Sequence, residues 1–325
     1  MAVADKPPVR RRKRHERAPE RAPFQITTLD ITSILANVAR FRFLTSEQIT
    51  RLDPRHPRTV YDRIRALYDH GYLERLGTVE GRIYRDMNAP VTYAIANPGW
   101  RLLQETMSAE PAFQRRLDWW TKNSKVKNAH VEHTLKVADV IMHWRTTAPT
   151  HGLTIYDHYD LLDFMPQETA QLKYPFKLSA EIEHKTLSVA PDRLLAVRTP
   201  DNLRLNLALE WDTGQHSMPI ERRSFTAGTS IMRKIATYNA VHNDGSAAEQ
   251  WGFKQWFVPF ITSTPARRDE MIAKQKKYLD GKGSRLFLFT DRDSFFGNDP
   301  FSEIWINGRG ERHGLYPLKQ GRVQR

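Results

Sequence analysis

Two apolar runs in the second half of the chain constrain its fold more than any other feature. They are Asp192-Arg193-Leu194-Leu195-Ala196-Val197 and Leu203-Arg204-Leu205-Asn206-Leu207-Ala208-Leu209-Glu210. Runs this short and this apolar suit strands covered on both faces. The interval between them, Arg198-Thr199-Pro200-Asp201-Asn202, is rich in turn formers, so the two should pair as a hairpin. A helix is expected before them over about 125–147, where Val126, Ala129, Val131, Leu135, Ala138, Ile141 and Met142 mark a wide apolar face. An extended segment begins at Leu153, and a polar, proline-containing region of poor periodicity follows to about 186. After the hairpin come a helix (about 221–243), a strand (256–261), a basic helix (about 265–280) and a buried-type strand (286–290). The resulting order is helix, three strands, helix, strand, helix, strand. That is an α/β unit with a mixed sheet.

The first third reads differently. Ile31, Ile34, Leu35 and Val38 recur at helical spacing. Thr45-Ser46-Glu47-Gln48 offers a cap for a short second helix that buries Ile49 and Leu52. Pro57 then suits the first turn of a third helix, which buries Val60, Ile64 and Leu67 and stops at Gly71. Strands at 72–76 and 91–95, joined by a basic loop carrying Arg82 and Arg85, complete the pattern of a winged helix-turn-helix. In that arrangement the third helix enters the major groove and the wing reaches phosphate or minor groove. The residues expected to meet DNA are Arg55, Arg58, Thr59 and Arg63 at the helix, with Arg75, Arg82 and Arg85 from the hairpin and its loop. The same scaffold also serves protein contacts, with its arginines merely solvated.

Charge supports the nucleic-acid reading. The chain of 325 residues has a formal net charge of +13. Residues 1–22 alone hold eight basic side chains against three acids, with three prolines and few apolar groups. Such a segment cannot bury enough surface to order itself, and it reads as a basic arm over residues 1–28. The folded parts are therefore only mildly basic, and placement of individual arginines matters more than bulk charge. The absence of cysteine excludes a disulfide scaffold, a Cys-ligated zinc or iron–sulfur site and a thiol nucleophile. No apolar run approaches the roughly 20 residues of a membrane helix, so a cytoplasmic protein with no membrane partner is expected. No phosphate-binding glycine loop or dinucleotide fingerprint is present.

The candidate chemistry lies at the ends of the hairpin. Pro191-Asp192 opens one strand, and Glu210-Trp211-Asp212 closes the next. Residues two apart on a strand share a face, so Glu210 and Asp212 can point towards Asp192 together. Three carboxylates so placed demand compensation by a divalent metal or by nearby cations. Together with the element order, this resembles the PD-(D/E)XK nuclease-like fold, in which an Asp and an acid-x-Lys hold a metal against the scissile phosphate. The resemblance implies Asp192, Glu210 and Asp212 as metal ligands, with Mg²⁺ or Mn²⁺ as cofactor. It departs from the pattern where Asp212 replaces the lysine, a role that Arg233 or Lys234 on the following helix can take over. Glu132, flanked by His130 and His133, is a further candidate ligand or proton carrier, and Gln215, His216 and Tyr238 are weaker ones.

The whole arrangement resembles the replication-relaxation family of plasmid and mobile-element proteins, most clearly in Phe43-Leu44-Thr45-Ser46-Glu47-Gln48-Ile49 and Leu209-Glu210-Trp211-Asp212-Thr213-Gly214. That resemblance implies work on double-stranded DNA beside a relaxase or replication initiator. The expected organisation is an arm (1–28), a winged helix domain (29–105), a connecting helical segment (106–124), a nuclease-like α/β domain (125–295) and a C-terminal extension (296–325). Three functions stay open: a DNA-binding accessory protein, a metal-dependent nicking endonuclease using Asp192, Glu210, Asp212 and Lys234, and a transcription regulator.

Overall fold

A computed structural model describes residues 16–18, 23–76, 90–114, 123, 126–214, 218, 230–253 and 255–315. The chain is mixed α+β and divides into two compact units, residues 1–135 and 136–325. The boundary falls inside one long helix, between Leu135 and Lys136.

In the first unit, π-helical turns over Asp30–Leu35 run directly into α1 (Ala36–Phe41). The two-residue strand β1 (Leu44–Thr45) follows, then α2 (Ser46–Leu52) and α3 (Pro57–Asp69). Next come β2 (Leu73–Leu76), β3 (Thr92–Ile95) and α4 (Asn97–Thr106). The strands form an antiparallel sheet in the order β1-β3-β2. β1 escapes sequence reading because two residues carry no periodicity. Local chemistry sets the helix starts. Thr45 caps α2 reciprocally: its hydroxyl accepts from Gln48 N–H at 3.1 Å, and its own N–H donates to Gln48 Oε1 at 3.0 Å. Pro57 opens α3, and Gly71 at φ +85° allows the sharp exit into β2. Ile34, Leu35, Val38, Ile49, Val60, Ile64, Leu67 and Leu73 are all buried, as their spacing requires.

One buried charge fixes how α3 sits. Asp30 is fully buried at the start of the π-helical segment. Its carboxylate pairs with both Arg63 of α3 and Arg55 of the preceding turn, and Arg55 also donates to Asp53 at 2.7 and 2.8 Å. Burial pushes the Asp30 carboxyl upward, but bonds from Arg63, the Thr27 N–H and Arg55 outweigh it and hold the group at about 2.

The second unit begins within α5 (Asn128–Thr147) and is built on one mixed sheet. Its strands are β4 (Thr154–Tyr156), β7 (Arg193–Arg198), β8 (Arg204–Trp211), β9 (Trp256–Thr262), β10 (Phe287–Asp291), β11 (Trp305–Asn307) and β12 (Arg312–His313). Among the described residues this is a seven-stranded sheet ordered β12-β11-β10-β9-β8-β7-β4. The pairs β8–β9 and β9–β10 are parallel and the others antiparallel. The parallel steps are made through α7 (Ile231–Asn243), with α8 (Ser246–Trp251) behind it, and through α9 (Pro265–Tyr278). The last short helix, α10 (Arg292–Gly297), follows β10.

Two segments depart from expectation. The region of poor periodicity holds α6 (Gln167–Gln171) and a separate hairpin, β5 (Leu178–Ile182) with β6 (Lys185–Val189), which packs on α7. Its two-residue turn has Glu183 at φ 51° and His184 at φ 61°, left-handed positions that the sequence does not announce with Asn or Gly. Residues after 296 are also more than an extension. They add β11 and β12 to the sheet and bury Phe301, Trp305 and Leu315. No helix among the described residues is long and apolar enough to cross a membrane.

Replacing Asp30 by Ala leaves two half-buried arginines without their shared carboxylate, Arg55 still paired with Asp53. The expected loss is about 2–3 kcal/mol at neutral pH. Because Asp30 titrates at about 2 in the fold and near 3.9 unfolded, its stabilisation is complete above that unfolded value. The gap between wild type and variant in thermal unfolding should therefore narrow as pH falls from about 4 towards 2. A gap constant across that range would refute this role.

Candidate functional site

The hairpin register decides whether the acids meet. Arg193 pairs with Leu209 across β7 and β8, so Asp192, one residue earlier, lies level with Glu210. Two bonds hold Asp192 there: its N–H donates to Leu209 O at 3.0 Å, and its Oδ2 accepts from Trp211 N–H at 2.8 Å. Beneath it, on the other face of the strand, Arg193 is buried with the fully buried Asp157 3.7 Å away.

Glu210 is 1% exposed and is satisfied by α7. Lys234 forms an ion pair with its Oε2, and the Tyr238 hydroxyl donates to its Oε1 at 2.6 Å. Lys234 and Tyr238 are four apart, which puts them one turn above each other on the helix face turned to β8. Ser230 caps that helix by accepting from Arg233 N–H at 3.1 Å, so its first turn and Lys234 are fixed by the sequence itself. Burial pushes the Glu210 carboxyl up to about 7, against the pull of Lys234 and with a further push from Asp192. Lys234 is held charged by Glu210, Asp192 and Asp212, which overcome its own burial. A cleft of about 180 Å³ runs along Lys234 and Arg233, closed on its other side by Ser188, Val189 and Ala190.

Asp212 goes elsewhere. It is also 1% exposed, but both of its oxygens are taken by Arg267 in the first turn of α9, at 2.6 and 3.1 Å. The bidentate geometry is the strong form of this pair. Arg267 could have been anticipated from parallel pairing. Trp211 is level with Ile261 of β9, and α9 opens only three residues after β9, so its first turn must sit above the end of β8.

The expected three-carboxylate metal centre is therefore not assembled. Each carboxylate of the Glu210–Asp212 pair already has its counter-cation, and both oxygens of each are occupied. Among the described residues no group of three or more His, Asp or Glu side chains is placed to hold a metal ion. Mg²⁺ or Mn²⁺ does not fit this donor set as it stands. Of the two cations considered on the following helix, Lys234 is the one that pairs with Glu210. Gln215 and His216 lie outside the described residues. His130 sits in the first unit, where its Nε2 is 3.0 Å from Arg42 Nη1.

The expected DNA-facing residues separate into two groups. Arg55 and Arg63 are held by Asp30, and Arg63 additionally donates to Gln25 O at 2.7 Å and stacks on Phe24 at 4.2 Å. Arg75 lies over Tyr68 at 4.0 Å. These three guanidinium groups build the unit. Arg58, Thr59 and Asp62 are exposed on α3, and beside them the structure exposes Tyr61 and Arg65, which were not singled out from sequence. Helical spacing alone would have found Arg65, since it follows Arg58 by two turns. Arg82 and Arg85 lie outside the described residues.

A family model described as replication-relaxation matches residues 35–254, more than half of the chain. No curated protein and no solved structure gives a match.

Replacing Lys234 by Met removes the charge that offsets the burial of Glu210. The folded carboxyl then titrates still higher than about 7, whereas in the unfolded chain it titrates near 4.3. Between those values the folded state keeps a proton that the unfolded state has lost, so stability falls with rising pH by up to about 1.4 kcal/mol per pH unit. Thermal unfolding at pH 5 and pH 8 should show a larger deficit at pH 8, and adding Glu210→Gln should erase the difference. A deficit equal at both values would contradict the pairing.

Proposed function

The chain belongs to the replication-relaxation family, and on that premise we propose that it is a DNA-binding accessory protein of plasmid or mobile-element replication, relaxation or transfer, docking duplex DNA through its first unit. The reading takes that unit as a winged helix: helix, strand, helix, helix, strand, strand, with the sheet ordered β1-β3-β2. The observation that carries it is the outer face of α3, where Arg58, Thr59, Tyr61 and Arg65 are exposed on a helix clamped from behind by Asp30. A rigid helix with short polar and guanidinium groups on its open side suits a major groove, since Arg can bridge guanine acceptors or phosphates. A relaxase or replication initiator on the same DNA is the protein partner this role calls for.

Fluorescence anisotropy with a labelled duplex tests it. The double variant Arg58→Ala/Arg65→Ala is expected to bind about 10–100-fold more weakly at fixed salt, with a salt slope smaller by about 2. Unchanged affinity would remove α3 from the interface. Arg63 is unsuitable for this experiment, because its loss disturbs the Asp30 clamp and with it the fold.

A second reading is favoured by the Asp192–Glu210–Lys234 juxtaposition, which has two acids level on adjacent strands and a lysine between helix and sheet. In this reading the second unit is a divergent nuclease that nicks DNA, with Asp192 and Glu210 as its working pair and Asp212 withdrawn by Arg267. Supercoiled plasmid incubated with Mg²⁺ or Mn²⁺ discriminates. Nicking by the wild type that disappears in Asp192→Ala supports an enzyme. Absence of nicking from both leaves the binding role alone.

A further inference from the structure

The second unit carries a cationic patch that its buried acids do not explain. It forms where the carboxyl-terminal end of α9 meets the turn between β11 and β12. Residues 276–285 and 309–312 hold six cations, Lys276, Lys277, Lys282, Arg285, Arg309 and Arg312, against two acids, Asp280 and Glu311. Glu311 is committed to Arg285 at 3.2 Å and to the Asn307 amide at 2.8 Å. Among the described residues the other five cations have no ion-pair partner. Lys277, Lys282, Arg309 and Arg312 are exposed.

The two stretches are distant in sequence and are locked together from beneath. Gln275, fully buried on α9, bridges them: with its amide turned to satisfy both groups, it donates to Gly308 O at 2.9 Å and accepts from Ser284 N–H at 2.8 Å. Gly283, at φ 66°, comes so near that a Cβ there would meet Gly308 O at 2.0 Å, and only glycine fits. Asn307 Oδ1 accepts from the N–H of Arg309 at 2.9 Å and of Glu311 at 3.1 Å, which fixes the turn. Arg312 is level with Ile306, whose side chain packs on the core beneath α9, so Arg312 rises on the face of the sheet that α9 covers. Helix polarity accounts for Lys276 and Lys277 in the last turn of α9. It does not account for Lys282, Arg309 and Arg312, which come from the loop and the neighbouring hairpin.

We propose that this patch is a second nucleic-acid surface, which holds the phosphate backbone of duplex DNA through the second unit. Cations without internal acids, set on a rigid platform with glycine at its tips, suit a polyanion that has to come close. None of the exposed large apolar side chains belongs to the patch. It therefore lacks the rings on which a single strand stacks and the apolar centre of a protein interface. Phosphate contacts of this kind add affinity and salt dependence but little sequence preference. The proposal rests on the reading of the chain as a DNA-binding protein, and not on α3 as its docking helix.

Glutamine removes the charge at exposed positions without opening the core. In the full chain, Lys282→Gln/Arg309→Gln/Arg312→Gln should keep the wild-type thermal unfolding. By anisotropy with a labelled duplex it should bind about tenfold more weakly, with a salt slope smaller by about 2–3. The charge-keeping Lys282→Arg/Arg309→Lys/Arg312→Lys should bind within about twofold of the wild type. Combining the glutamine variant with Arg58→Ala/Arg65→Ala should multiply the two losses. Wild-type affinity and slope in the glutamine variant would overturn the proposal, and so would an equal loss in the charge-keeping variant. Poly-L-glutamate binding as tightly as a duplex of equal charge, and weakened as much by the glutamine variant, would assign the patch to an acidic protein and overturn it too. Failure of the α3 reading looks different: Arg58→Ala/Arg65→Ala binds as the wild type while the glutamine variant is still weakened. A wild-type chain that binds no duplex refutes the DNA-binding reading and this proposal together.

Discussion

A carboxylate that is removed from water must find positive charge, and much of this structure is arranged around that requirement. Asp30, Asp157, Glu210 and Asp212 are each at most 1% exposed. The cost of burying one of them alone is several kcal/mol, a large share of the roughly 5–15 kcal/mol that holds a domain folded. Each is met by a cation from a different element: Arg55 and Arg63 for Asp30, Arg145 and Arg193 for Asp157, Lys234 for Glu210, Arg267 for Asp212. The pairs are directional as well as necessary. Glu210 fixes the rotation of α7 about its axis, because only one face of that helix carries both Lys234 and Tyr238. Asp212 does the same for the first turn of α9, and Asp30 for α3.

This pattern also changes the meaning of the net charge. An excess of arginine and lysine first suggests a surface built for a polyanion, yet several of the arginines best placed by sequence are internal struts. Arg55, Arg63 and Arg193 stand opposite buried acids, and Arg75 and Arg17 share one aromatic ring. Among the described residues of the first unit that were expected to meet DNA, the positive charge left exposed is on the outer face of α3, at Arg58, with Arg65 beside it. Placement, not total charge, decides which cations stay available to a partner.

How far the sequence could be read follows from the range of the interactions involved. The β7–β8 hairpin, α3 and the strands β9 and β10 are written in local periodicity and turn residues, and they are found where that pattern puts them. That Asp192 comes level with Glu210 depends on strand register, which the sequence leaves open because a one-residue slip separates them, and the β7–β8 pairing decides it. The β5–β6 hairpin was not foreseeable, because Glu183 and His184 adopt left-handed conformations that tertiary packing against α7 sustains. Arg267 follows only once the parallel pairing of β8 with β9 is given, and Tyr61 only from its exposure in the fold. Lys234 was legible as an alternative cation, but its choice over Arg233 is a matter of helix phase, and phase is set by the cap at Ser230.

The fate of Asp212 shows how the acids at the end of β8 are kept apart. Two carboxylates two residues apart on one strand share a face and repel one another when buried. Arg267 resolves that conflict by pairing with Asp212 from the first turn of α9, which leaves Asp192 and Glu210 with Lys234. The compensation is too well made to be incidental to stability, because an unpaired Asp212 would be buried and repelled by Glu210 alike. It leaves Glu210 titrating at about 7, balanced between a structural ion pair and a group able to exchange a proton. The same bonds that hold it, from Lys234 and Tyr238, must loosen before it can serve any ligand. The buried Glu210 carboxylate thus has its charge balanced within the unit itself, by Lys234 and the Tyr238 hydroxyl.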